Sequence, residues 1–201
     1  MLLSQKLSYN HNSQRKEEIP LRQFEKGDEI FISDSEIWQV YRGVVQLSRV
    51  QQDGGEIILG WITANGTFGN CLDGSSQIHR AVAMSNVYAR RYLPQDLIRQ
   101  PQLARQLLAQ FSDRLIKTEQ LLSIVAIKRV EERFTQLLLM LKQDIGQRVD
   151  NGVRLQARFT HQQLAEAICT TRVTITRIMG DFQNRNLICL DRDRHIVCTN
   201  L

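Results

Sequence analysis

Residues 159–182, FTHQQLAEAICTTRVTITRIMGDF, constrain the fold of this chain more than any other stretch. Thr160 and Gln163 have the spacing of a capping box, in which the threonine hydroxyl accepts from a free backbone N–H and the glutamine side chain returns a bond. After a short interruption, Thr171 can cap a second helix in the same way. Two short helices in this arrangement predict a helix-turn-helix.

The second of these helices has one apolar face and one basic face. Positions i, i+3, i+4 and i+7 share one side of a helix, and here they are Ile175, Ile178, Met179 and Phe182. The opposite face carries Arg172, Val173, Thr176 and Arg177. Because an arginine fork matches guanine and methyl groups match the thymine methyl, this face predicts DNA reading. The alternative is an ordinary amphipathic helix with a solvated basic face.

The segment TTRVTITRIMGDFQNRNLI resembles the recognition helix of the CRP/FNR superfamily of bacterial transcription regulators. It is most similar to that of the cyanobacterial global nitrogen regulators, which also reads Thr-Arg-Val-Thr. The resemblance implies that Arg172, Val173 and Arg177 read bases. The predicted DNA-binding set consists of Thr160, His161, Thr171, Arg172, Val173, Thr176 and Arg177. Cys169 departs from the family pattern, since members usually carry Gly in the turn, where φ is positive. A non-glycine residue there costs about 1 kcal/mol of backbone strain.

Charge and cysteine usage bound the function classes. The chain has 201 residues, enough for two modest domains, and a formal charge of +5. Residues 1–126 carry 14 basic and 13 acidic side chains, whereas residues 127–201 carry 12 and 8, so the excess lies with the predicted DNA reader. The four cysteines, Cys71, Cys169, Cys189 and Cys198, form no CxxC pair, which argues against a zinc or iron–sulfur site. With no membrane-spanning run and no signal peptide, we expect a cytoplasmic protein.

The region of residues 19–92 is typical of short strands. Apolar runs alternate with turn residues, and the runs are LRQF, EIFI, WQVY, VVQLSRV, EIILGWI, AVAM and VYARRY. Asp53-Gly54-Gly55 predicts a hairpin, and the whole pattern predicts a β-sandwich or barrel. The order of elements is similar to the β-roll sensor of the same superfamily, a jelly-roll of the cyclic-nucleotide-binding kind.

A long helix over about residues 102–127 follows a short helix bracketed by Pro94 and Pro101. Two sets of residues recur every seven positions, as in a coiled-coil seam, and the combined set is Leu108, Phe111, Leu115, Thr118, Leu122 and Val125. A second apolar face consists of Leu107, Leu121 and Ile124. Two faces suggest that one covers the chain's own β-domain and the other a second copy. The alternative is a helix that packs only on its own domain.

The C-terminal part is predicted to be a winged helix. A helix over residues 130–146 carries an apolar stripe, VRLQARF supplies one or two strands, and LICL and HIVC form a hairpin around Asp191-Arg192-Asp193-Arg194. The complete fold prediction is α+β: a β-roll sensor with an N-terminal arm (1–100), a dimerisation helix (101–127) and a winged helix-turn-helix (128–201).

The effector predictions rest on the resemblance. Cyclic-nucleotide-binding relatives need an acidic residue after Phe-x-Gly and an Arg-Ser/Thr pair, but Asn70 follows Phe68-Gly69 and Ala81 follows Arg80, so a cyclic nucleotide is not expected. Nitrogen-regulator relatives bind 2-oxoglutarate with an Arg and a Glu of the long helix, which correspond to Arg114 and Glu119. Their roll arginine falls at Gln77, and we therefore expect weak or absent 2-oxoglutarate binding. The candidate effector residues are Phe68, Gly69, Asn70, Cys71, Gln77, Arg114 and Glu119.

The prediction as a whole is a transcription regulator and not an enzyme. His11, His79, His161 and His195 are scattered without metal-ligand spacing. The implied partners are double-stranded DNA with palindromic sites, a second copy of the chain and RNA polymerase, without a membrane. The alternative function is a β-roll module that binds a small molecule or a protein and does not read DNA specifically.

Overall fold

The computed structural model describes residues 19–33, 35–52, 54–70 and 79–201. The strands of the N-terminal part are β1 (Leu21–Phe24), β2 (Glu36–Arg42), β3 (Val45–Val50), β4 (Glu56–Ile62), β5 (Thr67–Asn70), β6 (His79–Ala83) and β7 (Val87–Tyr92). They form two antiparallel sheets of order β1-β7-β2-β5 and β4-β3-β6. The predicted β-roll is confirmed.

The interior of the roll is filled by side chains that alternate inward along the strands. Trp38 and Phe68 stack with their ring centroids 6.4 Å apart. The β3–β4 pair is the predicted hairpin. The run EIFI differs from expectation, because it makes only an isolated bridge between Glu29 and Val82 instead of a strand.

Two helices follow the roll, α1 (Pro94–Arg99) and α2 (Pro101–Val125), and each starts with a proline in its first turn. Proline is tolerated there because its missing N–H would have no partner in the helix. The predicted second face of α2 is confirmed, since Leu107, Leu121 and Ile124 are buried. Along the heptad seam the leucines are exposed, at 68% for Leu108 and 59% for Leu115.

The C-terminal part contains α3 (Val130–Ile145), β8 (Gly146–Val149), β9 (Gly152–Leu155), α4 (His161–Ala167), α5 (Arg172–Asn184), β10 (Ile188–Leu190) and β11 (Ile196–Cys198). Its sheet has the order β10-β11-β9-β8, which is the predicted winged helix. Strand β8 lies outside the predicted strand segment VRLQARF and begins directly after α3. Its sequence, GQRV, is short and polar and carries no alternation that would reveal a strand.

One apolar core crosses from the roll to the winged helix. Val44, Ile58, Trp61 and Met84 of the roll belong to the same buried cluster as the interior of α3, α4 and α5. The residues of the roll in this cluster lie on or beside the sheet β4-β3-β6. The domain boundary near residue 127 stays a prediction.

Candidate DNA-binding surface

The first helix of the helix-turn-helix, α4, is held by the predicted capping box. The Thr160 hydroxyl accepts from the backbone N–H of Gln163 at 3.1 Å, and Gln163 Oε1 accepts from the backbone N–H of Thr160 at 2.9 Å. Both bonds satisfy donors that a helix start leaves unpaired. The sequence pattern therefore located the start of α4 correctly.

The turn between α4 and α5 bends at Cys169, which has φ of +52° and is exposed. This is the left-handed conformation that the resemblance implied for the position. The backbone N–H of Thr170 donates to the Ala165 carbonyl at 2.9 Å, and Arg133 Nη1 donates to the Ile168 carbonyl at 2.8 Å. These bonds hold the turn in place although its residue is not glycine.

The recognition helix α5 buries its apolar side and exposes its basic side. Ile175, Ile178, Met179 and Phe182 are all buried, as predicted. Val173 is 79% exposed, and Arg172, Thr176 and Arg177 are exposed as well. No described carboxylate lies within ion-pair distance of Arg172 or Arg177. Their guanidinium groups are thus available to an anionic or base-edge partner.

Several residues of the predicted DNA-binding set also support the two helices. His161 Nδ1 lies 2.7 Å from Thr176 Oγ1, which joins the start of α4 to the exposed face of α5. The Thr171 hydroxyl caps α5 by accepting from the backbone N–H of Thr174 at 3.1 Å. The sequence predicted that these side chains lie at the surface, but it did not predict the contacts that they make.

The wing hairpin β10–β11 is fastened to β9 by Arg154. Its Nε lies 2.5 Å from Asp191 Oδ2, and its Nη2 lies 2.7 Å from His195 Nδ1. The hydrogen bond from Arg154 lowers the pKa of Asp191 to about 2, and burial lowers the pKa of His195. Asp191, Asp193 and His195 are close enough to share a metal ion. However, the Arg154 guanidinium lies against all three, and its positive charge disfavours a cation there.

A basic cleft of about 800 Å³ adjoins the recognition helix, between the winged helix and the roll. Its cationic side chains are Lys26, Arg158, Arg172 and Arg194. No described lining residue is a carboxylate. A groove lined by one sign of charge concentrates ligands of the opposite sign, so this cleft favours phosphate groups.

The described candidate effector residues do not share one cavity. Phe68 is fully buried in the roll interior. Gly69 has φ of +104°, and a Cβ at this position would collide with the Glu36 carbonyl oxygen. Arg114 is half-buried, whereas Glu119 is exposed and does not line the same cavity. The side chain of Asn70, and Cys71 and Gln77 altogether, lie outside the described residues.

Arg114 lines a cavity of about 330 Å³ between β4, α2 and α3. Burial lowers the pKa of its guanidinium, and no described carboxylate pairs with it. The Trp61 indole N–H and the Thr67 hydroxyl, both on lining residues, are buried without a hydrogen-bond partner among the described residues. Lys117 also lines the cavity but is tied to Asp144 at 2.8 Å. Arg114 is therefore the one lining cation of this cavity without an ion-pair partner among the described residues.

Comparison with known proteins places these features in a family context. Residues 132–201 match the family model of the Crp-like helix-turn-helix domain. The chain is 33% identical to a global nitrogen regulator of Synechococcus elongatus over 88% of its own length and 84% of that protein. It is 31% identical to one of Nostoc sp. over 85% and 82%.

Solved structures share the fold. A CRP-family transcriptional regulator from Thermus thermophilus superposes with a TM-score of 0.77, at 16% identity, over 89% of this chain and 91% of that one. A second regulator of the CRP/FNR family from the same organism reaches 0.74 at 23% identity, over 90% and 94%. Among the described residues, no helix is both long and apolar enough to cross a membrane.

Proposed function

This chain belongs to the CRP/FNR superfamily of transcription regulators, and from that premise we propose that it binds palindromic promoter DNA as a homodimer. The observation that carries the proposal is the open face of α5. Arg172, Val173 and Arg177 are exposed. Neither arginine has an ion-pair partner among the described residues. An unpaired guanidinium on a helix that protrudes from the core can reach base edges in the major groove.

The surroundings of α5 support phosphate contacts on either side of the bases. Arg194 of the wing turn and Arg158 line the basic cleft together with Arg172. Half or more of the hydrogen bonds at protein–DNA interfaces go to phosphate and sugar, and these contacts orient the protein on the duplex. We assign Arg158 and Arg194 to the phosphate backbone and the outer face of α5, including Arg172, to the bases.

The exposed seam of α2 supports dimerisation. Leu108, Leu115 and Leu122 recur every seven residues and are 68%, 59% and 68% exposed in the single chain. Large apolar side chains repeated along one stripe of a 25-residue helix are suited to pairing with the same stripe of a second copy. Two recognition helices set about 34 Å apart can then enter successive major grooves.

The signal to which the regulator responds is part of the proposal. Its similar relatives include proteins named global nitrogen regulators, and we infer a role in nitrogen or carbon status in the cytoplasm, with RNA polymerase as a partner. The Arg114 cavity can serve one carboxylate through Arg114. A second carboxylate finds Lys117 already engaged and Asp113 on the wall. This supports weak or absent binding of 2-oxoglutarate.

A selection from a random duplex library tests the proposal. The full-length protein should enrich a palindrome, and a scrambled version of that palindrome should bind far more weakly at the same salt concentration. Equal binding to both would contradict specific reading and favour the alternative β-roll module. Salt must be held constant, because the phosphate contribution varies steeply with it.

A further inference from the structure

The winged helix is docked directly on the outer face of the roll. The Trp61 ring of β4 meets the Phe159 ring edge-on, with centroids 5.4 Å apart and an interplanar angle of 87°. Trp61 is only 5% exposed. Edge-to-face aromatic pairs stabilise by more than their buried area alone. This contact bypasses α2, the other connection between roll and winged helix.

Gln163 adds a polar contact to this docking. Its Nε2 donates to Gln46 Oε1 of β3 at 3.2 Å and approaches Met84 Sδ at 3.4 Å. Gln46 is 3% exposed. The Oε1 of the same Gln163 side chain accepts from Thr160 in the capping box. The Gln163 amide therefore both caps the start of α4 and links this helix to β3 of the roll.

The path from the roll to the DNA-reading face is short. Gln46 lies in β3 between Val45 and Leu47, which pack in the roll interior. From Gln163 the path continues along α4 to His161, which contacts Thr176 on the exposed face of α5. Two side-chain contacts, joined by the first turn of α4, thus connect β3 to the recognition helix.

We propose that Gln163 and Phe159 are positioning residues that fix the recognition helix relative to the roll. The docked arrangement leaves Arg172, Val173 and Arg177 exposed and is therefore compatible with DNA reading. The inference rests on the proposed function, since orientation matters only when two recognition helices must fit one duplex.

The physical consequence is specific to the palindrome. When the first recognition helix binds, the second half-site is met at an effective concentration that depends on how well the second helix is oriented. If the winged helix separates from the roll, its recognition helix samples a wider range of orientations, and the effective concentration at the second half-site falls. Binding to an isolated half-site uses one recognition helix and is unaffected.

A pair of charge substitutions tests the contact without removing the cap. Gln163→Glu keeps the capping box, because glutamate serves at this position, and the Gln46 amide can rotate to donate to it. Gln46→Glu likewise accepts from Gln163 Nε2. The double variant Gln46→Glu/Gln163→Glu places two carboxylates against each other, and at a pH where both are ionised they repel without a donor between them. Each single variant is therefore a matched control for the double variant.

The measurement is the affinity for a full palindrome and for a half-site at one salt concentration. We expect the double variant to lose about tenfold or more on the palindrome relative to either single variant. Its half-site affinity should equal that of Gln163→Glu, which places the same carboxylate on the wall of the basic cleft. Each single variant should lose less on the palindrome than the double variant, because its one carboxylate still faces an amide donor. Phe159→Leu keeps an apolar side chain and should give a smaller loss in the same direction. This variant tests the proposal if the double variant does not fold.

Fluorescence reports docking independently of DNA. The chain has two tryptophans, so Trp38→Phe leaves Trp61 as the only reporter. In that background the double variant should shift Trp61 emission to the red, since the ring becomes solvated. A red shift with unchanged palindrome affinity would overturn the inference, and so would a gain in palindrome affinity. If the wild type itself binds palindrome and half-site equally, the proposed function fails together with the inference.

Discussion

The DNA-reading face and the Arg114 cavity both present arginines, but in opposite surroundings. Arg172 and Arg177 are exposed on one helix of one chain. Arg114 is desolvated between the roll and α2, and Glu119, its expected companion, is exposed outside that cavity. The DNA-reading face is thus assembled within a single chain. Arg114 and Glu119, the two described polar residues expected to bind an effector, do not line the same cavity.

Disrupting the seam of α2 should have the largest effect, because reading a palindrome requires two copies of the DNA-reading face. Leu115→Asp places an unpaired charge in the predicted interface, which costs several kcal/mol. We expect a monomer with greatly reduced affinity for a palindrome, measured by sedimentation and DNA titration. A wild type that is already monomeric at micromolar concentration and still binds the palindrome tightly would show that the seam has another role.

Removing one arginine from the DNA-reading face tests whether that face contacts bases. Arg177→Ala should cost about 1–3 kcal/mol of binding free energy and relax the preference at one base pair, because a bidentate base contact is lost. Arg185→Ala is the matched control, since Arg185 follows the same helix and is paired with Glu131 and Asp181 at 2.9 and 3.1 Å. A uniform loss on all sequences, with a smaller salt slope, would instead identify Arg177 as a phosphate contact.

Calorimetry with 2-oxoglutarate tests whether the Arg114 cavity binds this ligand. A charge-assisted hydrogen bond is roughly twice as strong as a neutral one, so Gln77 in place of an arginine should weaken binding about tenfold or more. We expect no heat at millimolar ligand. A micromolar dissociation constant that disappears in Arg114→Ala would contradict this and would make the cavity a working effector site.

The smallest expected effect is on stability, at Cys169 in the turn of the helix-turn-helix. Replacing this residue tests whether its positive φ strains the DNA-reading part. Cys169→Gly should raise the free energy of unfolding by less than about 1 kcal/mol, because relief of the strain at positive φ is partly offset by the flexibility of unfolded glycine. Thermal unfolding measures the change. Cys169→Ala keeps the strain and should bring no gain, so an equal gain in both variants would rule out this explanation.

Local patterns in the sequence determined most of the DNA-reading part. The capping box of Thr160 and Gln163 and the spacing of Ile175, Ile178 and Phe182 are relations between residues a few positions apart. A helix places such residues side by side whatever the rest of the chain does. The two apolar faces of α2 were predicted for the same reason.

Only the tertiary structure decided what the roll contributes. The EIFI run looks like a strand, yet in the structure it makes only the isolated bridge of Glu29 with Val82, at the edge of the sheet β4-β3-β6. Gln163 was predicted as a cap, but its bond to Gln46 joins residues 117 positions apart. Trp61 and Phe159 are also remote in the sequence, and they meet because the outer face of one sheet packs against α4 and the residues before it. Such contacts depend on how complete elements pack, which no local periodicity encodes.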